Sequence, residues 1–256
     1  NLAMEEVSMR QEISCSNFPS RKTAVLAALS VGGQFLLREK RLASSPALAE
    51  SAFAALGGLR AIASEIIWFR ADRLQEEGRY VELAQLASML TAMEPRTPEV
   101  WSYAAWNLAY NVSVMMPTPE DRWRWVYSGL KLLRDEGLRL NPAEAELYRE
   151  LAWMFELKIG TDLDTAAPLY REKWKAIVED VSKRGAWNEL AMDERKMRRL
   201  EEKTGVSDWT DPQLSAIYWA LEGVRRSKDV REKRALLQIT KQAAVLYAKN
   251  RKNLIK

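Results

Sequence analysis

Two stretches of this chain share one pattern: PRTPEVWSYAAW at residues 95–106 and PAEAELYRELAW at residues 142–153. In both, an aromatic residue follows a proline by six positions, and an alanine (Ala105 or Ala152) follows the aromatic residue by four. A proline that ends one helix, a short turn, and an aromatic residue in the first turn of the next helix explain this spacing. The alanine lets the paired helix approach closely. The pattern predicts helix hairpins that repeat at a 47-residue interval.

The proline–aromatic spacing occurs three times along the chain, and we expect the three aromatic residues to pack between helices. The pairs are Pro95 and Trp101, Pro142 and Tyr148, and Pro212 and Tyr218. Each hairpin has an apolar face that it cannot bury alone, so neighbouring hairpins are expected to stack.

The composition of the whole chain predicts an all-α fold. Of 256 residues, 47% are hydrophobic and 29% are charged, which excludes a disordered chain. Strong helix formers dominate, apolar residues recur at steps of three and four, and hairpin-turn signals for β-strands are missing. The predicted helices cover residues 21–42, 46–56, 59–77, 80–93, 98–114, 119–139, 143–158, 166–182, 189–203, 212–226 and 229–251.

Several kinds of catalytic site are excluded by residue counts. The chain has no histidine and one cysteine, Cys15, so it contains no disulfide, no Ser-His-Asp or Cys-His nucleophile and no metal site that needs imidazole. Ser128 and Lys131 fit a Ser-x-x-Lys spacing, but the companion motifs of acyl-transfer enzymes are absent. Asp162 and Asp164 lack the glycine and distal glutamate of a calcium loop, and a capped turn explains them better. We predict no enzyme activity, cofactor or metal.

The region around residues 59–182 resembles the tetratricopeptide repeat family, with a weaker echo at 211–251. Its closest unit, Ser64–Thr97, has the family's length of 34 residues, with Gly78-Arg79-Tyr80 at the turn and Pro95 near the end. The resemblance implies a right-handed α–α superhelix, a solenoid of stacked antiparallel helix pairs. The repeats are irregular, because Met116–Pro119 and Thr161–Thr165 are longer than the family's tight turn.

This resemblance divides the chain into three regions. Residues 1–58 are an N-terminal segment with a weak anchor or capping helices, residues 59–182 hold the repeats, and residues 183–256 hold an atypical repeat and a basic tail.

The resemblance also implies a partner-binding surface, because the first helix of each pair lines the inner curve of such a solenoid. The residues at those places that we assign to binding are Trp68, Asp72, Trp106, Tyr110, Arg149 and Trp153. Trp, Tyr and Arg concentrate binding energy at protein interfaces, so we predict a non-catalytic scaffold that binds a peptide or protein. Carboxylate-clamp binding is not expected, since the family's Lys and Asn are missing. The alternative is that Trp68, Trp106 and Trp153 fill the core.

The two ends of the chain suggest a second function. Residues 225–256 carry 11 basic and 2 acidic side chains. They form either a last helix of the array with a solvated basic outer face or a segment that attracts an anionic membrane surface. Without an aromatic platform, nucleic acid is not an expected partner. Thr23–Leu37 is apolar but shorter than the roughly 20 residues of a membrane span, so it is a weak anchor or a buried helix. Some bacterial proteins with such repeats carry an N-terminal anchor. The alternative function is therefore a membrane-tethered or surface-bound assembly factor, and the location is cytoplasmic or membrane-associated.

Overall fold

The computed structural model describes residues 63–254, with side chains as far as Arg251, and all regular structure in that range is helical. Nine helices follow in order: α1 (63–76), α2 (Tyr80–Met93), α3 (Pro98–Trp106, continued by Asn107–Val112 and Ser113–Met115), α4 (Pro119–Lys131, continued by Leu132–Gly137 and Leu138–Leu140), α5 (Ala145–Trp153, continued by Met154–Ile159), α6 (Ala167–Arg184), α7 (Glu194–Thr204), α8 (Pro212–Arg226) and α9 (Val230–Leu254). The all-α prediction is confirmed for these residues.

Helix ends lie close to where the sequence predicts them, with one exception. Prolines 98, 119 and 212 each occupy the first turn of a helix, a position that needs no backbone N–H. The predicted helix 189–203 begins five residues too early, because a 3₁₀ turn, Trp187–Leu190, precedes α7, which begins at Glu194. Ala191 takes a left-handed φ of 52°, which breaks the helix, and the Asp193 carboxylate accepts the backbone N–H of Arg195 to restart it. The predicted helices 21–42 and 46–56 lie outside the described residues.

The first two proline turns hold their aromatic residues by direct hydrogen bonds. Trp101 Nε1 donates to the Pro95 carbonyl oxygen at 3.0 Å, and Tyr148 OH donates to the Pro142 carbonyl oxygen at 3.0 Å. Both rings are buried. Asn141 Nδ2 also donates to the Pro95 oxygen at 3.0 Å, so the second turn is bonded to the first. The six-residue spacing therefore corresponds to a repeated turn, in which the side chain of the aromatic residue donates a hydrogen bond to the carbonyl oxygen of the proline.

The third proline does not make this turn, and the predicted echo at 211–251 is wrong in this respect. Pro212 lies inside the first turn of α8, and Tyr218, although buried as expected, accepts a hydrogen bond from the backbone N–H of Asp193 at 2.9 Å. The equal spacing at Pro212 is therefore not the same local structure.

Helix α8 also runs in the opposite direction to α5, against which it packs. Near its start, Gln213 Nε2 donates to the Glu156 carbonyl oxygen at 2.9 Å, at the end of α5. Near its end, Arg226 Nε donates to the Pro142 carbonyl oxygen at 2.8 Å, before α5 begins, and Gly223 lies against Tyr148. A regular next repeat would place its first helix parallel to α5, so the 47-residue pattern ends before α8.

Helices α3 and α5, by contrast, run in the same direction and share an irregularity. Each changes from α- to π-helical winding at corresponding places, Asn107–Val112 and Met154–Ile159, again 47 residues apart. Such π-helical turns are rare and re-aim the side chains around them. Helix α4 contains a third π-helical segment, Leu132–Gly137. It is therefore the 47-residue spacing, and not the π-helical winding itself, that extends the structural repeat beyond the residues that are similar in sequence.

Close approach of α3 and α4 depends on small residues. A Cβ at Gly129 on α4 would lie 2.6 Å from the Ala105 carbonyl oxygen and 3.3 Å from the Ala109 side chain. The predicted role of Ala105, to admit the paired helix, agrees with this contact. Behind it lies a large core that includes Phe155, Tyr170 and Trp174, all fully buried.

Within residues 63–254, we find no helix that combines the length and the apolar character a bilayer span requires. Thr23–Leu37, predicted as a weak anchor or a buried helix, lies outside the described residues.

Candidate partner-binding face

Matching positions on α3 and α5 form a surface that contains four of the six predicted binding residues. We call it the α3–α5 face and define it by its residues: Glu99, Ser102, Trp106 and Tyr110 on α3, and Glu146, Arg149 and Trp153 on α5. Glu99 and Glu146, Ser102 and Arg149, and Trp106 and Trp153 are each 47 residues apart. Because the two helices run in the same direction, equivalent residues lie side by side.

Three aromatic rings of the α3–α5 face are half-buried. Trp106 stacks on Tyr110, with ring centroids 4.1 Å apart and 16° between the planes. The Arg149 guanidinium lies 5.9 Å from the Trp153 ring centroid, and Lys158 Nζ lies 5.2 Å from that of Tyr110. Tyr110 and Trp153 pack against the core on one side. The rings are therefore neither fully buried nor fully exposed.

The charges beside these rings are mostly negative. Burial raises the pKa of Glu146 to about 7; Arg149 opposes this rise, whereas Glu150 and Glu99 add to it. Burial also raises the pKa of Glu150, which accepts a hydrogen bond from Arg149 Nη2 at 3.0 Å. Arg149 Nη1 lies 3.8 Å from a Glu232 carboxylate oxygen on α9. Arg149 is among the residues predicted from the sequence, whereas the glutamates around it are not, although the 47-residue match of Glu99 with Glu146 is a signal for them.

The other two predicted binding residues lie on α1, beside this face. The Trp68 ring packs against Tyr103 with centroids 5.2 Å apart, and Asp72, one turn further along α1, is exposed. Tyr103 follows Ser102 directly, which places Trp68 at the flank of α3.

Asp164, considered above as a weak cation ligand, instead binds side chains of this chain. Its carboxylate accepts hydrogen bonds from Lys158 Nζ at 2.8 Å, Tyr170 OH at 2.9 Å, the Ala166 backbone N–H at 3.0 Å and Arg122 Nη1 at 3.2 Å. Among the described residues, no group of three acidic or cysteine side chains could hold a metal ion. The predicted capped turn is thus part of a buried ion network that joins α4, α5 and α6.

A second carboxylate, Glu222 on α8, has a similar role. It is buried and pairs with Lys196 Nζ at 2.6 Å, with Arg226 Nη1 at 2.8 Å and with Arg225. Arg226 also lies over the Tyr148 ring, 4.1 Å from its centroid. Glu222 therefore ties α7 and α8 to the start of α5.

An open cavity of about 520 Å³ lies beside Glu222. Four basic and four acidic side chains line it, so its charge favours neither anions nor cations: Arg134, Arg139, Lys196 and Arg226, with Asp135, Glu189, Asp193 and Glu222. The α3–α5 face, with aromatic rings and unbalanced charge, is the better candidate for recognition.

Comparison with known proteins identifies no relative of this chain: no protein-family model, curated protein or solved structure matches it. The resemblance to tetratricopeptide repeats therefore rests on the residues quoted above.

Proposed function

We propose that this protein is a non-catalytic scaffold that binds a peptide or protein partner on the α3–α5 face. In this proposal α1–α6 form three helix pairs of a tetratricopeptide-like, right-handed stack, with the α3–α5 face on its inner curve. The bonded proline turns and the π-helical turns 47 residues apart support the stack. Helix α8, which runs opposite to α5, closes the stack together with α9. The observation that carries the proposal is the pair Trp106 and Trp153, half-buried at equivalent positions of two neighbouring parallel helices.

A non-catalytic role fits the way in which the buried charges are used. Asp164 and Glu222 each bind several cationic or hydroxyl groups of the same chain, which satisfies them in the folded protein. Both carboxylates therefore stabilise the packing of the helices around them.

Alanine at both Trp106 and Trp153 is expected to weaken partner binding by about 30-fold or more, because aromatic anchors carry most of the energy of an interface. Peptides selected from a displayed random library against the wild-type protein serve as ligands, and fluorescence anisotropy measures their Kd. Trp125→Ala, at a half-buried ring on α4, is the matched control.

The control is expected to retain the wild-type affinity, and the far-UV CD spectrum of the double variant is expected to remain helical. Unchanged affinity in the double variant, or loss of its helical spectrum, would refute the proposed face: the first because the rings do not bind, the second because they are core.

A second candidate function, docking on an anionic membrane surface, is favoured by one feature of α9. Its inner side is buried against the core, whereas Val230, Arg234, Leu237, Lys241 and Val245 follow one another at steps of three or four residues and are exposed. Three of them are large apolar side chains, at 60%, 42% and 68% exposure. A basic and apolar helical stripe of this kind suits the headgroup region of an anionic bilayer.

Sedimentation with phosphatidylserine-containing vesicles tests this second candidate. We expect the wild-type protein to sediment with these vesicles and not with pure phosphatidylcholine, and salt to release it. Arg234→Ser/Lys241→Ser should abolish sedimentation, whereas Arg124→Ser/Arg198→Ser, at exposed positions on α4 and α7, should not. Equal sedimentation of the two variants would exclude docking through α9.

A further inference from the structure

We propose that the α3–α5 face recognises a partner segment through a lysine or arginine side chain, which lies between the carboxylates of Glu99 and Glu146, while a neighbouring apolar residue packs on Trp106 and Trp153. This inference rests on the proposed function and specifies the chemistry of its partner.

An excess of negative charge on the α3–α5 face favours a cationic ligand. In the described part of the chain, neither Glu99 nor Glu146 has a basic group within ion-pair distance. Arg149, the cation beside them, bonds to Glu150 at 3.0 Å and faces Glu232 at 3.8 Å. Carboxylates therefore outnumber cations at this place, although the whole chain has a net charge of +4. A partner cation would balance the excess.

The surroundings of Glu146 disfavour its charged form. Glu146 is half-buried, and burial is the main cause that raises its pKa to about 7. Repulsion from Glu150 and Glu99 adds to this rise, whereas Arg149 and the Ser102 hydroxyl oppose it. A cation bound between Glu99 and Glu146 would relieve this repulsion. The unbound protein therefore already bears the free-energy cost of this repulsion. Binding of a cation would recover part of that free energy, which favours a cationic ligand.

The distance between the carboxylates and the rings matches the spacing of side chains in an extended peptide. Glu99 and Trp106 are seven residues apart on α3, as are Glu146 and Trp153 on α5, which is two helical turns or about 10 Å. In an extended peptide, about three residues span this distance. A basic residue three positions from a large apolar residue therefore matches the face. The stem of the basic side chain is itself apolar and can lie along the rings.

Three synthetic peptides of equal length test the proposal by fluorescence anisotropy. They contain Lys-Ser-Ser-Leu, Gln-Ser-Ser-Leu or Glu-Ser-Ser-Leu twice, with a fluorophore at one end. The lysine peptide is expected to bind at least about tenfold more tightly than the glutamine peptide, and the glutamate peptide more weakly than both. Added salt should reduce the preference.

Two double variants test whether the preference for lysine depends on Glu99 and Glu146. Glu99→Gln/Glu146→Gln should abolish the preference for lysine, whereas Glu136→Gln/Glu202→Gln, which removes two exposed carboxylates on α4 and α7, should preserve it. In the wild-type protein the preference should fall between pH 8 and pH 6, as Glu146 beside Arg149, Glu150 and Glu99 becomes protonated.

The outcomes separate this inference from the proposed function. Library-selected peptides that depend on Trp106 and Trp153 but show no preference for basic residues would overturn the inference alone. A lysine preference that persists in Glu99→Gln/Glu146→Gln would also overturn it. Concentration-dependent dimers that are lost in that variant would identify the basic α9 of a second copy as the ligand, and would overturn the assignment to a separate partner. Failure of every peptide to bind would refute the proposed function itself.

Discussion

Replacing Asp164 with alanine is expected to lower the free energy of unfolding by about 3–5 kcal/mol, the usual cost of breaking a buried ion pair from one side. The ammonium of Lys158 is 5% exposed and would lose the carboxylate 2.8 Å away, and the buried hydroxyl of Tyr170 would lose its acceptor. Urea unfolding followed by far-UV CD measures the change.

Asp162→Ala is the matched control, because it removes an aspartate from the same loop. Its side chain is 81% exposed and pairs with Arg171, so little change in the unfolding midpoint is expected. Lys158→Met/Asp164→Asn should cost less than Asp164→Ala, since no uncompensated ammonium is left in the interior. Equal midpoints for the Asp162 and Asp164 variants would show that the network does not stabilise the fold.

The same network has a defined pH dependence. Burial alone would raise the pKa of Asp164, but hydrogen bonds from Lys158, the Ala166 N–H and Tyr170 outweigh it and lower the pKa to about 2, from an ordinary value of 3.8. The resulting stabilisation, about 2 kcal/mol, is complete above about pH 4 and is lost as the pH falls towards 2. The stability difference between wild type and Asp164→Asn should therefore narrow over that interval.

Replacing Glu222 with alanine is expected to cost about 3 kcal/mol of unfolding free energy and to loosen α7. Lys196, Arg225 and Arg226 would keep their charges close together without the carboxylate that holds them. This cost is at the lower end of the usual range for breaking a buried ion pair, because the side chains of the three cations are 27–54% exposed and remain partly hydrated.

Two measurements distinguish this effect from a general loss of packing. Repulsion among the three cations is screened by salt, so added NaCl should recover more stability in Glu222→Ala than in wild type. Limited proteolysis should cut the variant first within residues 194–204. Glu202→Ala, at an exposed position on α7, is the control and should behave as wild type. A salt-independent loss, with no new cleavage in α7, would contradict the role assigned to Glu222.

Much of the helical structure follows from local sequence signals. Helices α2 and α8 begin and end at the predicted residues, and a proline at the first turn marks where α3, α4 and α8 begin. These signals act within a few residues: proline has no N–H to lose in the first turn, and apolar residues recur with the helical period. The proline–aromatic spacing predicted the turns at Pro95 and Pro142 for the same reason.

The candidate site was predictable only in part. Trp106, Tyr110, Arg149 and Trp153 could be proposed from their places in the repeat, but their half-buried state depends on how α3 lies against α5. The glutamates at 99 and 146 look like ordinary surface residues in the sequence. Their crowding, and the raised pKa of Glu146, arise only when two distant helices run side by side.

Local pattern alone was therefore enough for the all-α class, for most helix ends and for the two bonded proline turns, because each depends on contacts between residues close in the chain. The reversed direction of α8, the matched π-helical turns and the ion networks at Asp164 and Glu222 depend on which distant residues meet. Pro212 illustrates the limit, because it has the same spacing to Tyr218 as the other pairs but a different structure. Gln213 bonds to the end of α5, and Tyr218 accepts the backbone N–H of Asp193 instead of donating to the proline carbonyl.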